Sequence, residues 1–377
     1  MKDNTKLIWI ALLILLTWRL PLSEYLRFNM RLVFMWFVVL SLGFYIAATI
    51  NVWFGAFLLV ALIAAFNPNP TPHSGEALLM VILGSITYVI FYTIHDKEAV
   101  LTILCLFALA NVFVVSIQVL GFDFQLTWNE KLMADDRTMR IGLLDNWNSL
   151  SASFAVCLPA FFRPKWKWFI PFVLFGLYLA NSVGGVLASM PTILYYTVNG
   201  LKKYSNASNA MVVICSSLTV IVCLAAFVWY VDPPNYKSRW AAWRMYGVLS
   251  TDKHHNQLIG QGLGHWQPVF ARKDVRHKIC EWADCSTKRV GIYYAQAHNE
   301  YIQADWEMGA IGVAVIIGFL INTLRRVRSV IDPIPILIVL AFVVDSFVYF
   351  PFHIPTLALI GIMGFAMLER SLREKVC

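Results

Sequence analysis

A succession of long apolar stretches constrains this chain more than any other feature. A bilayer crossing needs about 20 consecutive, mostly apolar residues. The sequence offers such stretches at 7 to 22, 32 to 50, 52 to 66, 77 to 94, 99 to 120, 147 to 163, 168 to 182, 183 to 200, 210 to 231, 309 to 324, 333 to 350 and 354 to 369. With 59% hydrophobic and only 14% charged residues, the chain cannot fold in water without exposing apolar surface. The expectation is an all-α polytopic membrane protein of about 12 transmembrane helices, a single membrane domain over 1 to 377. The first stretch follows Lys2 and Lys6 as a signal peptide would, but it carries Arg19 and lacks a small-residue cleavage site, so it reads as a retained helix.

Orientation follows from the basic residues of short loops, which resist translocation. Arg163, Lys165 and Lys167, then Lys202 and Lys203, then Arg325, Arg326 and Arg328, then Arg370, Arg373 and Lys375 fall on one side if there are twelve spans. That side is cytoplasmic, and both termini lie on it. Two polar segments then face outward, 121 to 146 and the larger 232 to 308. The net charge of +8 reports this topology and the outer loop, and implies no nucleic-acid partner.

Cys105, Cys157, Cys215 and Cys223 lie in apolar spans and read as small buried hydrophobes. Cys280 and Cys285 stand apart in the outer segment, where an oxidising exterior would permit a local disulfide. They do not form a zinc set, because His277 supplies no recognisable further pair of ligands.

Charge inside the spans is scarce, and an ionisable group in hydrocarbon must find a partner or a wet cavity. Asp345 in "VVDSFVYFPFHIPT" is the clearest such group; it is followed by His353 and by the helix-breaking Pro351 and Pro355. It reads either as an interfacial acid or as the wall of a polar cavity. The first outer segment supplies Arg137, Arg140, the acids Asp135, Asp136 and Asp145, and Asn146 and Asn148 at the mouth of the sixth span. Arginine suits a diphosphate because its planar fork makes paired, charge-assisted hydrogen bonds; in an outer loop it is as readily a solvated charge. The second outer segment opens with "PPNYKSRWAAWRMYGVLS", in which Arg239, Trp240, Trp243 and Arg244 recur at helical spacing. They predict an amphipathic helix whose tryptophans anchor at the membrane interface or stack on sugars. Gly260, Gly262 and Gly264 follow and permit tight turns.

The stretch "AQAHNEYIQADWEMGAIG" closes this outer segment. A helix beginning near His298 and running into the tenth span would place Tyr301, Ile302 and Asp305 on roughly the face of His298, with Gly309 and Gly312 flat against a neighbouring helix. Asp305 would lie about 10 Å along that axis, too far to orient the imidazole. Asp345 is the candidate for that task.

The chain resembles the O-antigen ligase and O-unit polymerase superfamily of bacterial envelope glycosyltransferases. The resemblance rests on His298-Asn299 followed by Gly309-x-x-Gly312, and on the order of "SIQVLGFDF", "RIGLLDNWNSLSASFAVCLPAF", "SRWAAW", "GQGLG" and "DSFVYFPFHIPT" across roughly 116 to 360. It implies a GT-C-like membrane fold with one large, partly helical periplasmic loop, 232 to 308, that is catalytic. The implied reaction transfers a glycan from undecaprenyl diphosphate to an acceptor hydroxyl at the periplasmic face of the inner membrane, with inversion and with no metal or other cofactor. His298 would be the base and Asn299 would help position it. Arg239 and Arg140 would grip the diphosphate, with Arg244 beside them, and Asn148, Tyr301 and Asp345 would support the site. The acceptor would be another lipid-linked glycan, a lipid A core sugar or a protein hydroxyl. One departure stands out: where members often carry Ser-Arg-Gly, this chain reads "NSVGGVLAS", with Val183 in the arginine's place.

Two rivals have their own marks. Asp135 and Asp136 could hold a divalent cation against diphosphate in a metal-dependent transferase. A transporter or glycan flippase would suit the number of spans, but there is no internal repeat and the polar groups collect at one face.

Overall fold

The computed structural model describes residues 52–65, 72–94, 96–120, 142–144, 146–205, 233–251, 256–283, 297–326, 332–349 and 351–373. Arg140, Cys285, Asp135 and Asp136 lie outside the described residues, as do the expected spans at 7 to 22, 32 to 50 and 210 to 231.

In chain order the helices are α1 (Val52–Ala65), α2 (Pro72–Thr93), α3 (Lys97–Val119), α4 (Trp147–Cys157), α5 (Ile170–Ala180), α6 (Val183–Ser205), α7 (Pro233–Ser250), α8 (Trp266–Phe270), α9 (Lys273–Ala283), α10 (Glu300–Arg326), α11 (Ile334–Asp345) and α12 (Pro355–Arg373). Tighter 3-10 turns occupy Leu158–Phe162, Lys167–Phe169 and Pro351–His353. Among the described residues there is no strand, so the architecture is all-helical. Among the described residues two helices, Lys97–Val119 and Glu300–Thr323, are long and apolar enough to cross a membrane. The apolar stretches Trp147–Phe162, Lys167–Ala180 and Ile334–Asp345 are shorter than the spans expected there. Proline accounts for part of the shortening: Pro159 cannot donate to the α4 ladder, and the chain tightens into the 3-10 turn Leu158–Phe162 at that point.

Contacts divide the chain into two compact units: residues 1–94, 232–330 and 369–377 form the first, and residues 95–231 and 331–368 the second. In the first unit α10 packs along α1, which packs on α2. Gly318 permits the close approach, since a Cβ there would stand 2.3 Å from the Trp53 ring. The outer segment of this unit has a core of its own. Ala241, Ala242 and Met245 of α7 meet Val275 and Ile279 of α9 around Trp266, Phe270 and Trp306. Trp266 stacks on Phe270 with ring centroids 3.7 Å apart, and Trp306 meets Trp266 edge-on at 6.2 Å.

In the second unit α4, α6 and α11 pack on one another, and α3 packs on α5. Gly185 of α6 touches Ser151 of α4 so closely that a Cβ would meet its Oγ at 2.0 Å. Two buried amides on α3 hold the chain near the end of the first outer segment. Gln118 Oε1 accepts the Gly142 N–H at 2.8 Å and Asn111 Oδ1 accepts the Leu143 N–H at 2.9 Å. Both amides sit inside an otherwise apolar span, where an unpaired amide would be costly.

Candidate active site

The site is built from the helix break that follows His298. Gly309 has φ 67° and ψ −173°, so α10 is two helical pieces meeting at a kink. A break at i to i−4 spacing strands the carbonyls of Trp306 and Glu307 and the N–H groups of Ala310 and Ile311. The glycine-rich loop 256–264 takes up all four. Gln261 N and Gly262 N donate to Trp306 O at 2.8 Å and Glu307 O at 3.0 Å, while Ala310 N and Ile311 N donate to Gln257 O at 2.9 Å and Leu258 O at 3.2 Å. The loop makes this fit by turning at Gly260, Gly262 and Gly264, whose φ angles are 73°, 107° and 74°. Asn256 starts the turn, its Oδ1 accepting Leu258 N at 3.1 Å and Ile259 N at 3.2 Å.

This arrangement corrects the expected role of Gly309. Gly309 does not seat a neighbouring helix: it lies against the backbone of Leu258 and Gly260, while Gly312 is on the face of α10 whose Met308 and Ile316 pack on α1. The same G-x-x-G pattern serves both uses, and only the break distinguishes them.

His298 also lies elsewhere than on the helical face expected. The helix starts at Glu300, and His298 precedes it with φ 52°, a left-handed conformation. Asn299 is the cap: its Oδ1 accepts the N–H groups of Tyr301 at 3.0 Å and Ile302 at 3.1 Å, and its own carbonyl accepts Gln303 N at 3.1 Å. Asn299 thus positions His298 through the backbone. Asn299→Ala is expected to lower stability by about 1 kcal/mol, read as a small fall in the melting temperature of the purified protein.

Gln303, which sequence reasoning passed over, closes the turn from the other side. Its Oε1 accepts the Ala297 N–H at 3.0 Å and its Nε2 donates to Glu307 Oε1 at 3.1 Å. Gln303 and Glu307 are buried four residues apart on one helical face. A buried amide at that spacing, following an Asn cap, was the available signal.

Helix α7 supplies the opposing wall. Arg239, Trp243 and Tyr246 recur at i, i+4 and i+7 and therefore share a face. Trp243 Nε1 donates to Ala297 O at 2.7 Å, one residue before His298, and Tyr246 Oη hydrogen-bonds Asp305. Burial, and then the Asp305 carboxylate, push the Tyr246 phenol above its usual range. Trp266 is therefore a structural part of the outer segment's core and Trp243 is tied to Ala297, while Trp240 stays 59% exposed. Arg244 is on another face of α7, its guanidinium stacked over Trp282 of α9 at 4.4 Å.

Electrostatics single out one side chain. Burial, and secondarily the charge of Arg239, push the His298 imidazole down to about 3. Its Nδ1 is fully enclosed, whereas the residue as a whole is only half-buried. The imidazole is therefore neutral at any working pH.

Asp345 and Asn148 belong to the second unit, where they join a polar group at the ends of α4, α6 and α11. Ser182 Oγ donates to Asn148 Oδ1 at 2.6 Å, and Ser149 Oγ and Tyr349 Oη lie 2.9 Å apart. Asp345 is 1% exposed and faces Gly184, where a Cβ would stand 3.4 Å from its Oδ1. Val183 begins α6 beside this group. Cys280 is a free, half-buried thiol. Among the described residues no three of His, Cys, Asp and Glu converge as metal ligands would.

The chain matches no protein-family model and no curated protein.

Proposed function

We propose that the protein is an inverting glycosyltransferase of about twelve membrane spans that moves a glycan from undecaprenyl diphosphate to an acceptor hydroxyl. The observation that carries this reading is the placement of His298, half-buried with its Nδ1 enclosed and within the field of Arg239, in a segment that opens directly onto a membrane-length helix. The embedding is supported by exposed apolar stripes: Leu106, Phe113 and Leu120 on the α3 side, and Ile311, Ile317 and Ile321 on α10. The resemblance of the HN and G-x-x-G pattern to envelope O-antigen ligases and polymerases supplies the donor, the inner membrane and the periplasmic side.

The chemistry follows from the residues. With Nδ1 enclosed, the acceptor hydroxyl meets Nε2, which takes its proton as the oxygen attacks the anomeric carbon. The bond from that carbon to the diphosphate oxygen breaks on the opposite face, which inverts the centre. Arg239 stabilises the negative charge gathering on the diphosphate. Arg140 is the proposed second grip. Arg244, already stacked on Trp282, serves through the edge of its guanidinium. The acceptor is a lipid A core sugar or a second lipid-linked glycan; a protein hydroxyl is the other acceptor of the same class.

A host lacking the gene and complemented with wild type or His298→Ala tests the reading. Wild type is expected to restore a glycan product that His298→Ala does not. Long stranded lipid-linked polymer identifies a ligase, and stranded single units a polymerase. Full restoration by His298→Ala would refute the assignment. A flippase would move donor with either variant and form no glycosidic bond.

Two further outcomes follow. Arg239→Gln is expected to lower transfer by about 10²-fold or more while leaving the melting temperature within a few degrees. The rate is expected to show no inflection from His298 between pH 5 and pH 8, because the group stays neutral down to about 3; a limb centred near about 6.5, the ordinary value, would contradict the burial.

A further inference from the structure

A groove of about 310 Å³ opens on the second unit between the 3-10 turn Leu158–Phe162, α5 and α6. Its lining is almost wholly apolar, with Leu174 and Ile193 exposed at its mouth and Phe162 stacked on Tyr196 with ring centroids 3.6 Å apart. Chain geometry puts Ile170, which lines it, three residues beyond Lys167.

The short connection leading to that end is basic and anchored. Lys165 and Lys167 are exposed, and Lys167 Nζ lies 5.3 Å from the ring centre of the exposed Trp168. The turn that presents them is closed by Trp166 N and Lys167 N donating to Arg163 O at 2.9 and 3.0 Å. Arg163 is itself buried, with Nε donating to Ala160 O at 3.1 Å and Nη1 to Glu98 Oε2 at 2.6 Å. The acids of this end are already engaged: Glu98 with Arg163, Asp332 with Lys97, and Asp96 as the cap of α3. Residues 146 to 205 contain no Asp or Glu at all.

We infer that this groove binds an anionic phospholipid of the surrounding bilayer, its acyl chain against Leu158, Phe162, Leu174, Ile193 and Tyr196 and its phosphate on Lys165 and Lys167. An apolar slot whose lining residues Phe162 and Ile170 flank a turn carrying exposed Lys165, Lys167 and Trp168 matches a lipid tail joined to a negative headgroup. The charge favours an anionic lipid over a zwitterionic one. The inference rests on the membrane reading alone and is independent of glycan transfer.

Protein solubilised in neutral detergent is incubated with equal phosphatidylglycerol and phosphatidylcholine, and retained lipid is identified by native mass spectrometry. Wild type is expected to retain phosphatidylglycerol roughly tenfold over phosphatidylcholine. Lys165→Gln with Lys167→Gln is expected to abolish that preference while some neutral lipid remains, and Thr197→Trp, which fills the groove, to lose both. Equal retention of the two lipids by wild type, or undiminished preference in the lysine variant, would overturn the assignment, as would a dimer whose interface excludes lipid. Release of the protein from membranes by alkaline carbonate would instead defeat the membrane reading itself.

Discussion

Gly309→Ala is expected to lower the stability of the first unit by on the order of 3 kcal/mol or more and to abolish transfer with it. The backbone at Gly309, φ 67° and ψ −173°, lies in a region open essentially to glycine, so a side chain strains it by about 1 to 3 kcal/mol. The added Cβ would also stand 2.4 Å from the Leu258 carbonyl and 2.5 Å from Gly260 N. The loop must then retreat, and the four backbone groups it satisfies at the break lose their partners. In an apolar surrounding each such loss costs about 1 to 3 kcal/mol. The contrast is Gly247→Ala on α7, where a Cβ meets nothing within 4 Å; this substitution is expected to stabilise by about 0.5 to 1 kcal/mol. Thermal unfolding of the two purified variants beside wild type measures both, and similar melting temperatures for the pair would contradict the loop's role.

The second large effect belongs to His298. Removing a general base costs about 10²- to 10⁴-fold in rate, and the left-handed backbone at this residue determines which variant reads that cleanly. Alanine at φ 52° adds strain of about 1 to 2 kcal/mol, whereas asparagine tolerates the conformation and cannot act as a base at this pH. His298→Asn is therefore expected to stay folded while transfer falls by about 10²-fold or more. It should also be the more acid-tolerant protein. The folded imidazole resists protonation down to about 3, so wild type loses stability as pH falls below about 6.5, where the unfolded chain gains a proton that the native state lacks. His298→Asn lacks that term, and its melting temperature should fall less between pH 7 and pH 5.

Much of the helix map was legible, because apolar runs mark helices regardless of tertiary detail: α1, α3 and α6 start within two residues of the expected spans. Arg239, Trp243 and Arg244 were rightly placed on one helix, since their spacing is local information. What was not legible depends on partners distant in sequence. Gly309 looks like part of a helix contact until loop 256–264 supplies the hydrogen bonds that satisfy a break there. The core that the outer segment closes around Trp266 and Trp306 likewise draws on α7, α8, α9 and α10 together. His298 was expected at the start of the helix; Asn299 suits a helix interior poorly but caps one well, and that cap puts the start at Glu300. Gln118 and Asn111, hidden in an apolar span, show their purpose only once Gly142 and Leu143 return to α3.

The most direct test of the central claim is a transfer assay with purified protein, a radiolabelled undecaprenyl-diphosphate glycan and a hydroxyl acceptor, comparing wild type with His298→Asn at equal folded concentration. A new glycosidic product formed by wild type, with stoichiometric release of undecaprenyl diphosphate and at least about 10²-fold less from His298→Asn, is the predicted result. Equal product from both proteins would show that His298 is not the base, and no product with any lipid-linked donor would contradict the transferase reading.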